Sequence, residues 1–354
     1  MKFDLDRLVR ENIRRLAPYS SARTEFAGQA EIFLDANENA FGSPLAENYN
    51  RYPDPVQGAV RKKVAENNSV NATQIFVGNG SDEAIDLMFR IFCRPGIDNI
   101  VICPPTYGMY AVAAGINDVE VKPAPLTGEF DVDPEKIFKT IDDKTRLIFL
   151  CSPNNPTGNS IPHGKILEIA EVFGGIVVVD EAYIHFSDES SLLSEIDRYP
   201  NLVVLQTFSK AWGLAGLRVG LAFASDEIIR LLDRVKPPYN VSQVAQELVL
   251  EALELRSNVA DTAAAIVNER KTLSTALSQF SFVIRIYDSD ANFLLVKTDS
   301  ANEIYNFLLE EKIVVRNRSS VELCEGCLRI TVGTPKENQA LIRALEKYEE
   351  SIVH

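Results

Sequence analysis

The chain has 354 residues, long enough for about two domains, and its 46% hydrophobic and 24% charged content is ordinary for a globular protein in water. A formal net charge of −14 argues against nucleic acid or an anionic membrane as main partner, so an anionic substrate must be drawn by clustered arginines. The five cysteines are an odd number, no apolar signal core follows Met1, and no apolar run approaches the ~18 residues of a membrane span, which together suggest reduced thiols in a cytoplasmic protein.

In chain order, residues 1–30 are charged and irregular. A short helix is expected over 10–16, ended by Pro18, and 18–23 reads as an extended arm. Ile32-Phe33-Leu34 leads into the polar turn Asp35-Ala36-Asn37-Glu38-Asn39. Arg51-Tyr52-Pro53-Asp54-Pro55 must be extended, because proline disfavours helix for its predecessor. A helix over 57–66 follows. Strands are then expected at 75–77, 99–103, 146–151, 176–179, 202–205 and 219–224, with helices at 82–93, 107–115 and 162–173. Several strands are continuous apolar runs rather than alternating ones. That pattern calls for an α/β fold with a mainly parallel central sheet covered by helices on both faces. After Pro237-Pro238 the pattern changes. A helical region over 241–280 with a break near Asn258 precedes short apolar segments at 282–286, 292–296, 314–315 and 327–332. Helices are expected over 301–311 and 336–349. This reads as a smaller α+β domain. The expected organisation is an N-terminal segment over 1–30, a large domain over 31–240 and a small domain over 241–354.

The richest chemistry follows the apolar run 202–205, which ends in Gln206-Thr207-Phe208-Ser209-Lys210. Desolvation and neighbouring cations lower an ammonium pKa and expose the amine as a nucleophile for carbonyls. Thr207, Ser209 and Arg218 suit a phosphate. A lysine and a phosphate site so close together suggest pyridoxal phosphate; a solvated lysine in a surface turn is the plain alternative. Asp180 closes the run 176–179 at the sheet's carboxyl edge, where open α/β folds bind ligands. An Asp there can keep a pyridinium nitrogen protonated. A magnesium-binding role would need a G-x-x-x-x-G-K-[ST] loop, which the chain lacks; a simple strand-end carboxylate is the other reading.

Weaker signals surround these two. Gly78-Asn79-Gly80-Ser81 opens a helix, and free amides with the helix dipole favour phosphate there. An ordinary strand–helix turn fits equally, since Glu83 stands where a dinucleotide fingerprint needs its third glycine. In Ser152-Pro153-Asn154-Asn155-Pro156-Thr157-Gly158 the prolines fix the backbone, so an asparagine amide can be aimed. Tyr107, beside Pro104-Pro105, suits ring stacking or a core position. Arg329, in an apolar strand, needs an anion: a substrate carboxylate or an internal acid. Arg316 and Arg318, on the neighbouring strand, either join it or are solvated loop charges. The histidines His163, His185 and His354 are too few for a His-rich metal site and make a Ser–His–Asp triad improbable. Cys324-Glu325-Gly326-Cys327 reads as a tight turn rather than a zinc site, and no metal is expected.

Taken together, Asn155-Pro156-Thr157-Gly158, Asp180-Glu181-Ala182-Tyr183, Ser209-Lys210 with Arg218, and Arg329 resemble the fold-type I, class I/II pyridoxal-phosphate aminotransferases. The resemblance spans nearly the whole chain. Pro18-Tyr19, Arg51-Tyr52-Pro53, Pro105-Thr106-Tyr107-Gly108-Met109-Tyr110 and Pro237-Pro238-Tyr239-Asn240-Val241 are most similar to the histidinol-phosphate aminotransferases within that group. The resemblance implies pyridoxal 5'-phosphate held covalently by Lys210, which also moves the substrate proton. It implies Asp180 at the pyridine nitrogen, Tyr183 and Asn155 at the phenolic oxygen, and Tyr107 against the ring. The amides of Ser81 and Asp82, with Thr207, Ser209 and Arg218, would hold the cofactor phosphate. Tyr52 would reach the cofactor phosphate of a partner subunit, which implies a homodimer. Arg329 would bind an α-carboxylate, Arg316 and Tyr19 the substrate phosphate, and Asn37 lies in a segment that closes over the substrate. The implied reaction exchanges histidinol phosphate and 2-oxoglutarate for imidazole-acetol phosphate and glutamate, in histidine biosynthesis. Aromatic aminotransferases and threonine-phosphate decarboxylases share the peripheral motifs, and a non-catalytic regulatory protein on this scaffold is a further alternative. One departure concerns Asp82 and Glu83: their side chains must point away from a phosphate held at that turn.

Overall fold

The structure, a computed structural model, describes residues 3–19 and 32–353; residues 20–23 of the expected arm lie outside them. The strands of the first sheet are β1 Ile75–Asn79, β2 Asn99–Ile102, β3 Glu120–Pro123, β4 Thr145–Cys151, β5 Ile176–Asp180, β6 Leu202–Thr207 and β7 Val219–Phe223. Their order is β1-β7-β6-β5-β4-β2-β3. Every neighbouring pair is parallel except those made by β7, which runs antiparallel to both β1 and β6.

The uninterrupted apolar runs explain the layering. Val177 and Val179 face one core cluster, while Ile176 and Val178 face another. Both faces of β5 are therefore apolar, and each needs helices over it. Helices Gly80–Phe92, Met109–Ile116 and Asp226–Val235 cover one face. Helices Gly58–Asn68, His163–Val172 and Gln243–Glu254 cover the other. The second sheet is antiparallel throughout, in the order β10-β11-β9-β8, with β8 Val283–Ile286, β9 Phe293–Thr298, β10 Arg316–Asn317 and β11 Cys327–Thr331. It packs with helices Arg256–Leu277, Ala301–Glu310 and Pro335–Val353. No described helix is long and apolar enough to cross a membrane.

Several details depart from the sequence expectation. The short helix expected over 10–16 is present as Glu11–Arg14, and a separate short helix, Leu5–Leu8, precedes it, parted from it because Val9 and Arg10 take extended ψ angles of 128° and 138°. The break in the 241–280 region falls at Leu255, not Asn258. Among the longer elements without a counterpart are β3, helix Pro134–Thr140 and helix Asp226–Val235. The last is amphipathic, with Ile228, Ile229, Leu231 and Leu232 buried.

The join between β7 and the helix Gly80–Phe92 is tight. A Cβ on Gly220 would lie 2.1 Å from Ser81 N and 2.3 Å from the Gly80 carbonyl carbon. Those are backbone atoms, which cannot swing aside as a side-chain end can. Gly220→Ala is expected to destabilise the fold by roughly 1–3 kcal/mol, the scale of overpacking. Thermal unfolding measures this directly, and an unchanged midpoint would show that the turn at Ser81 is free to move.

Candidate active site

The carboxyl ends of β5 and β6, the start of helix Gly80–Phe92, and strands β10 and β11 enclose a cavity of about 770 Å³. β5 delivers Asp180 to its wall, 3% exposed. Asp180 Oδ2 accepts from Tyr110 Oη at 2.8 Å, and Oδ1 accepts from Ala182 N at 3.1 Å. Burial pushes the carboxyl up to about 6, although both hydrogen bonds favour the ionised form. Tyr110 is fully buried, stacked on Phe149 at 4.7 Å and edge-on to Tyr107 at 5.5 Å. Sequence reasoning gave Tyr110 no role. The available signal was chemical: a tyrosine on a buried helix face must find a partner for its hydroxyl.

β6 ends in a turn that presents Lys210. Thr207 Oγ1 accepts from Ser209 N at 3.1 Å and donates to Val219 O at 3.5 Å. Lys210 Nζ makes no hydrogen bond or ion pair among the described residues and lies 5.5 Å from the Tyr183 ring centroid. Desolvation holds its ammonium below the ordinary pKa, and Arg329 and Arg218 add to this against Asp180 and Asp82. That is the direction a carbonyl-attacking amine needs. Tyr183 is buried edge-on to Phe293 at 5.2 Å. Asn154 is buried and tied to Pro105 O and Thr157 Oγ1, at 2.8 and 2.7 Å, which leaves Asn155 to line the cavity.

At one end of the cavity, Arg218 takes a left-handed φ of 54° and lays its guanidinium over the helix start. Its Nη1 donates to Ser209 Oγ at 3.4 Å, and its Nη2 meets Asp82 Oδ2 at 3.5 Å. A Cβ on Gly80, which has φ +70°, would sit 2.8 Å from that Nη2, so glycine makes room for the guanidinium. Gly80, Ser81 and Asp82 open the helix, where N–H groups lack intrahelical partners and the dipole is positive. The two acids behave differently. Glu83 turns away, its Oε2 accepting from Asn79 N at 2.7 Å and Asn240 Nδ2 at 2.9 Å. Asp82 does not turn away as expected. It lines the cavity, drawn in by Arg218 and by Tyr107 Oη, which donates to it at 3.1 Å.

At the opposite end, Arg316 in β10 pairs in register with Arg329 in β11, and Arg318 joins them on the cavity wall. None of these three forms an ion pair with a carboxylate among the described residues. Arg329 donates to Asn155 Oδ1 and lies 5.2 Å over the Phe293 ring. The Nε atoms of Arg318 and Arg329 are buried without hydrogen-bond partners. On a chain of net charge −14, this is the clustered cationic wall an anionic substrate requires.

Three expected residues stand apart from this cavity. Tyr52 stacks on Tyr239 with centroids 4.4 Å apart, Tyr19 is 74% exposed, and Asn37 occupies a turn with φ +53°. Cys324 and Cys327 are buried and flank a tight turn in which Gly326 has φ +72°.

The chain matches the family described as aminotransferase class I and II over residues 31–345. It is 50% identical over 348 residues to the histidinol-phosphate aminotransferase of Cytophaga hutchinsonii, a match covering 98% of this chain and 100% of that one. Among solved structures it is similar to the histidinol-phosphate aminotransferase from Clostridium acetobutylicum, with a TM-score of 0.79, 26% identity, and coverage of 86% of this chain and 92% of that one. It is similar in fold to the Sinorhizobium meliloti enzyme of that name in complex with pyridoxal-5'-phosphate, with a TM-score of 0.80, 22% identity and 90% of each chain covered. A mainly parallel sheet, a smaller antiparallel one, and an amine, a buried acid and arginines around one cavity accompany a match over nearly the whole length. The chain belongs to the aminotransferase class I and II family.

Proposed function

We propose that this protein transaminates histidinol phosphate with 2-oxoglutarate, giving imidazole-acetol phosphate and glutamate, with pyridoxal 5'-phosphate as cofactor. The observation that carries the reading is one cavity holding an unpaired lysine amine, a buried acid without a cation partner, and arginines without acids at the far end. The residues fit the cofactor. The uncompensated Asp180 asks for a group that brings positive charge, as a protonated ring nitrogen would, and the orphaned Nε atoms of Arg318 and Arg329 ask for an anionic substrate at the far end. Glycine at position 80 lets the Arg218 guanidinium lie over the helix start, where it would meet a phosphate.

When bound, pyridoxal phosphate supplies an electron sink for the carbanion left when a proton leaves the substrate Cα. The protein residues do the rest. Lys210 Nζ would hold the cofactor and then carry the proton, which its lowered pKa favours. Asp180, kept in place by Tyr110 and the Ala182 amide, would pair with the pyridine nitrogen. Arg218, Thr207, Ser209 and the amides of Ser81 and Asp82 would hold the phosphate. Tyr183, Asn155 and Tyr107 would hold the ring. Arg329 would exchange its bond to Asn155 for a substrate carboxylate, and Arg316, with Tyr19, would take the substrate phosphate. The closing segment would carry Asn37. A homodimer in the cytoplasm completes the reading, with Tyr52 serving a partner subunit's cofactor. Tyr52, Val56, Val244 and Leu248 support it: all are exposed, on segments joined by Gln246 Nε2 to Asp54 O at 3.1 Å.

The deciding experiment adds histidinol phosphate, without any keto acid, to the purified holoprotein and follows its visible absorption. Replacement of the yellow band by one at shorter wavelength is expected. A band that ignores histidinol phosphate but answers phenylalanine or another amine discards the substrate and keeps the chemistry. Lys210→Ala should retain the cofactor non-covalently and show no multiple turnover; repeated turnover by that variant would sink the lysine's role. Arg329→Ala should lower kcat/KM for glutamate by about 1.5–3 kcal/mol, the worth of a charge-assisted pair. An unchanged value would remove Arg329 from the substrate site.

Asp180 adds a pH dependence. Its folded pKa is raised from 3.8 to about 6, so the cofactor-free folded state keeps a proton that the unfolded chain releases across that window. Stability therefore falls as pH rises from about 4 to 6. Asp180→Asn should make the cofactor-free protein more stable than the parent at pH 8, on the order of 3 kcal/mol, with the gap closing near pH 4. Thermal unfolding at both pH values checks this, and a variant no more stable at pH 8 would refute it.

A further inference from the structure

Behind the Gly80 turn lies a polar network, buried at Lys236 and Gln57 and half-buried at Asn240 and Glu83, that the proposed chemistry does not use. Its centre is Lys236, 8% exposed, at the end of helix Asp226–Val235. The ammonium donates to Pro55 O at 2.7 Å, Asn240 Oδ1 at 2.9 Å and Pro238 O at 3.1 Å, and it reaches no carboxylate within ion-pair distance among the described residues. With Pro237 O farther off at 3.4 Å, these acceptors take up all three donors of the ammonium. Proline-rich backbone holds two of them still.

Asn240 carries the network forward. Its Oδ1 also accepts from Gln57 Nε2 at 3.2 Å, and its Nδ2 donates to Val77 O at 3.0 Å and Glu83 Oε2 at 2.9 Å. The same Glu83 oxygen accepts from Asn79 N at 2.7 Å, and Asn79 Nδ2 donates back to Asn240 O. Asn79 is the residue before Gly80, so this chain of bonds ends where the helix start is aimed. In the other direction Lys236 holds the Pro55 carbonyl, three residues beyond Tyr52, and Tyr239, next to Asn240, stacks on Tyr52.

We propose that Lys236 is a positioning residue for the cofactor phosphate. Through Asn240 it keeps the Glu83 carboxylate behind the helix start, so that the amides of Ser81 and Asp82 face the phosphate, and through Pro55 it fixes the segment bearing Tyr52. This rests on the cofactor reading above. Without the ammonium, Asn240 Oδ1 keeps only the Gln57 donor, so the Asn240 amide, one of the two groups that orient Glu83, is held less firmly. A carboxylate in the first turn then competes with the phosphate for the Ser81 and Asp82 amides.

The test compares pyridoxal 5'-phosphate with pyridoxal, which lacks the phosphate. Both are titrated into cofactor-free protein by fluorescence for the parent, Lys236→Met and Asn240→Ala, with folding checked by circular dichroism. The dissociation constant for pyridoxal 5'-phosphate should rise about tenfold or more in both variants, while that for pyridoxal changes less than about twofold. Equal weakening of both ligands would make the role merely structural and overturn the proposal, as would unchanged binding. Asn240→Ala removes no charge and decides the question where Lys236→Met fails to fold. Parent protein that binds neither ligand overturns the cofactor reading itself, a result distinct from the other two.

Discussion

Keeping a carboxylate inside the large domain is the constraint on which the site depends. Asp180 sits on the central strand, with β4 on one side and β6 on the other, so water cannot reach it through the sheet. Two donors must therefore be fixed in place. The amide of Ala182 comes from the turn that ends the strand. The hydroxyl of Tyr110 requires a whole helix, laid so that the ring is clamped between Phe149 and Tyr107. The acid keeps part of its charge uncompensated, because no arginine or lysine pairs with it among the described residues. A buried charge left that way is stabilised most by a ligand that brings the opposite charge.

The same logic, with the sign reversed, governs the wall contributed by the second sheet. Arg316, Arg318 and Arg329 repel one another, and burial lowers the pKa of Arg318 and Arg329. Besides the Arg329 bond to Asn155 and the Tyr183–Phe293 contact, bonds set away from the cavity hold that sheet against the large domain. Arg285 and Glu129 pair at 2.6 Å, and Asp290 N donates to Gly158 O at 2.7 Å. At Gly158, with φ +89°, a Cβ would come within 2.5 Å of Ser289 Oγ, so the residue that ends the Asn155 loop is also a seat for the second sheet. The cationic wall thus needs no acid of its own to stay in position.

What could be read from the sequence followed from how local each signal was. β4, β5 and β6 were legible because burial on both faces leaves unbroken apolar runs. β3, with its exposed and half-buried pattern Glu120–Pro123, carried no such run. Lys210, Arg218, Asp180 and Asn155 stood out because each lies in a short motif whose chemistry needs only its neighbours, and the cavity does gather them. Tyr110 was missed because its partner is seventy positions away in sequence. The different directions of Asp82 and Glu83 are set by Arg218 and Asn240, again distant. For Tyr52, the cofactor contact proposed above would lie on a partner subunit, and within the chain its ring stacks on Tyr239, far away in sequence.

The single reversed strand has a consequence for how the chain is made. β1 lies at the sheet edge and pairs with β7 alone. It is complete at Asn79, but its partner begins at Val219. With a ribosome adding roughly 5–20 residues per second, the strand waits on the order of ten seconds or more before any neighbour exists for its backbone. The helix start that follows it stands against Gly220 of that late strand. The early-synthesised end of the cavity therefore takes its final shape only after nearly two-thirds of the polypeptide has emerged.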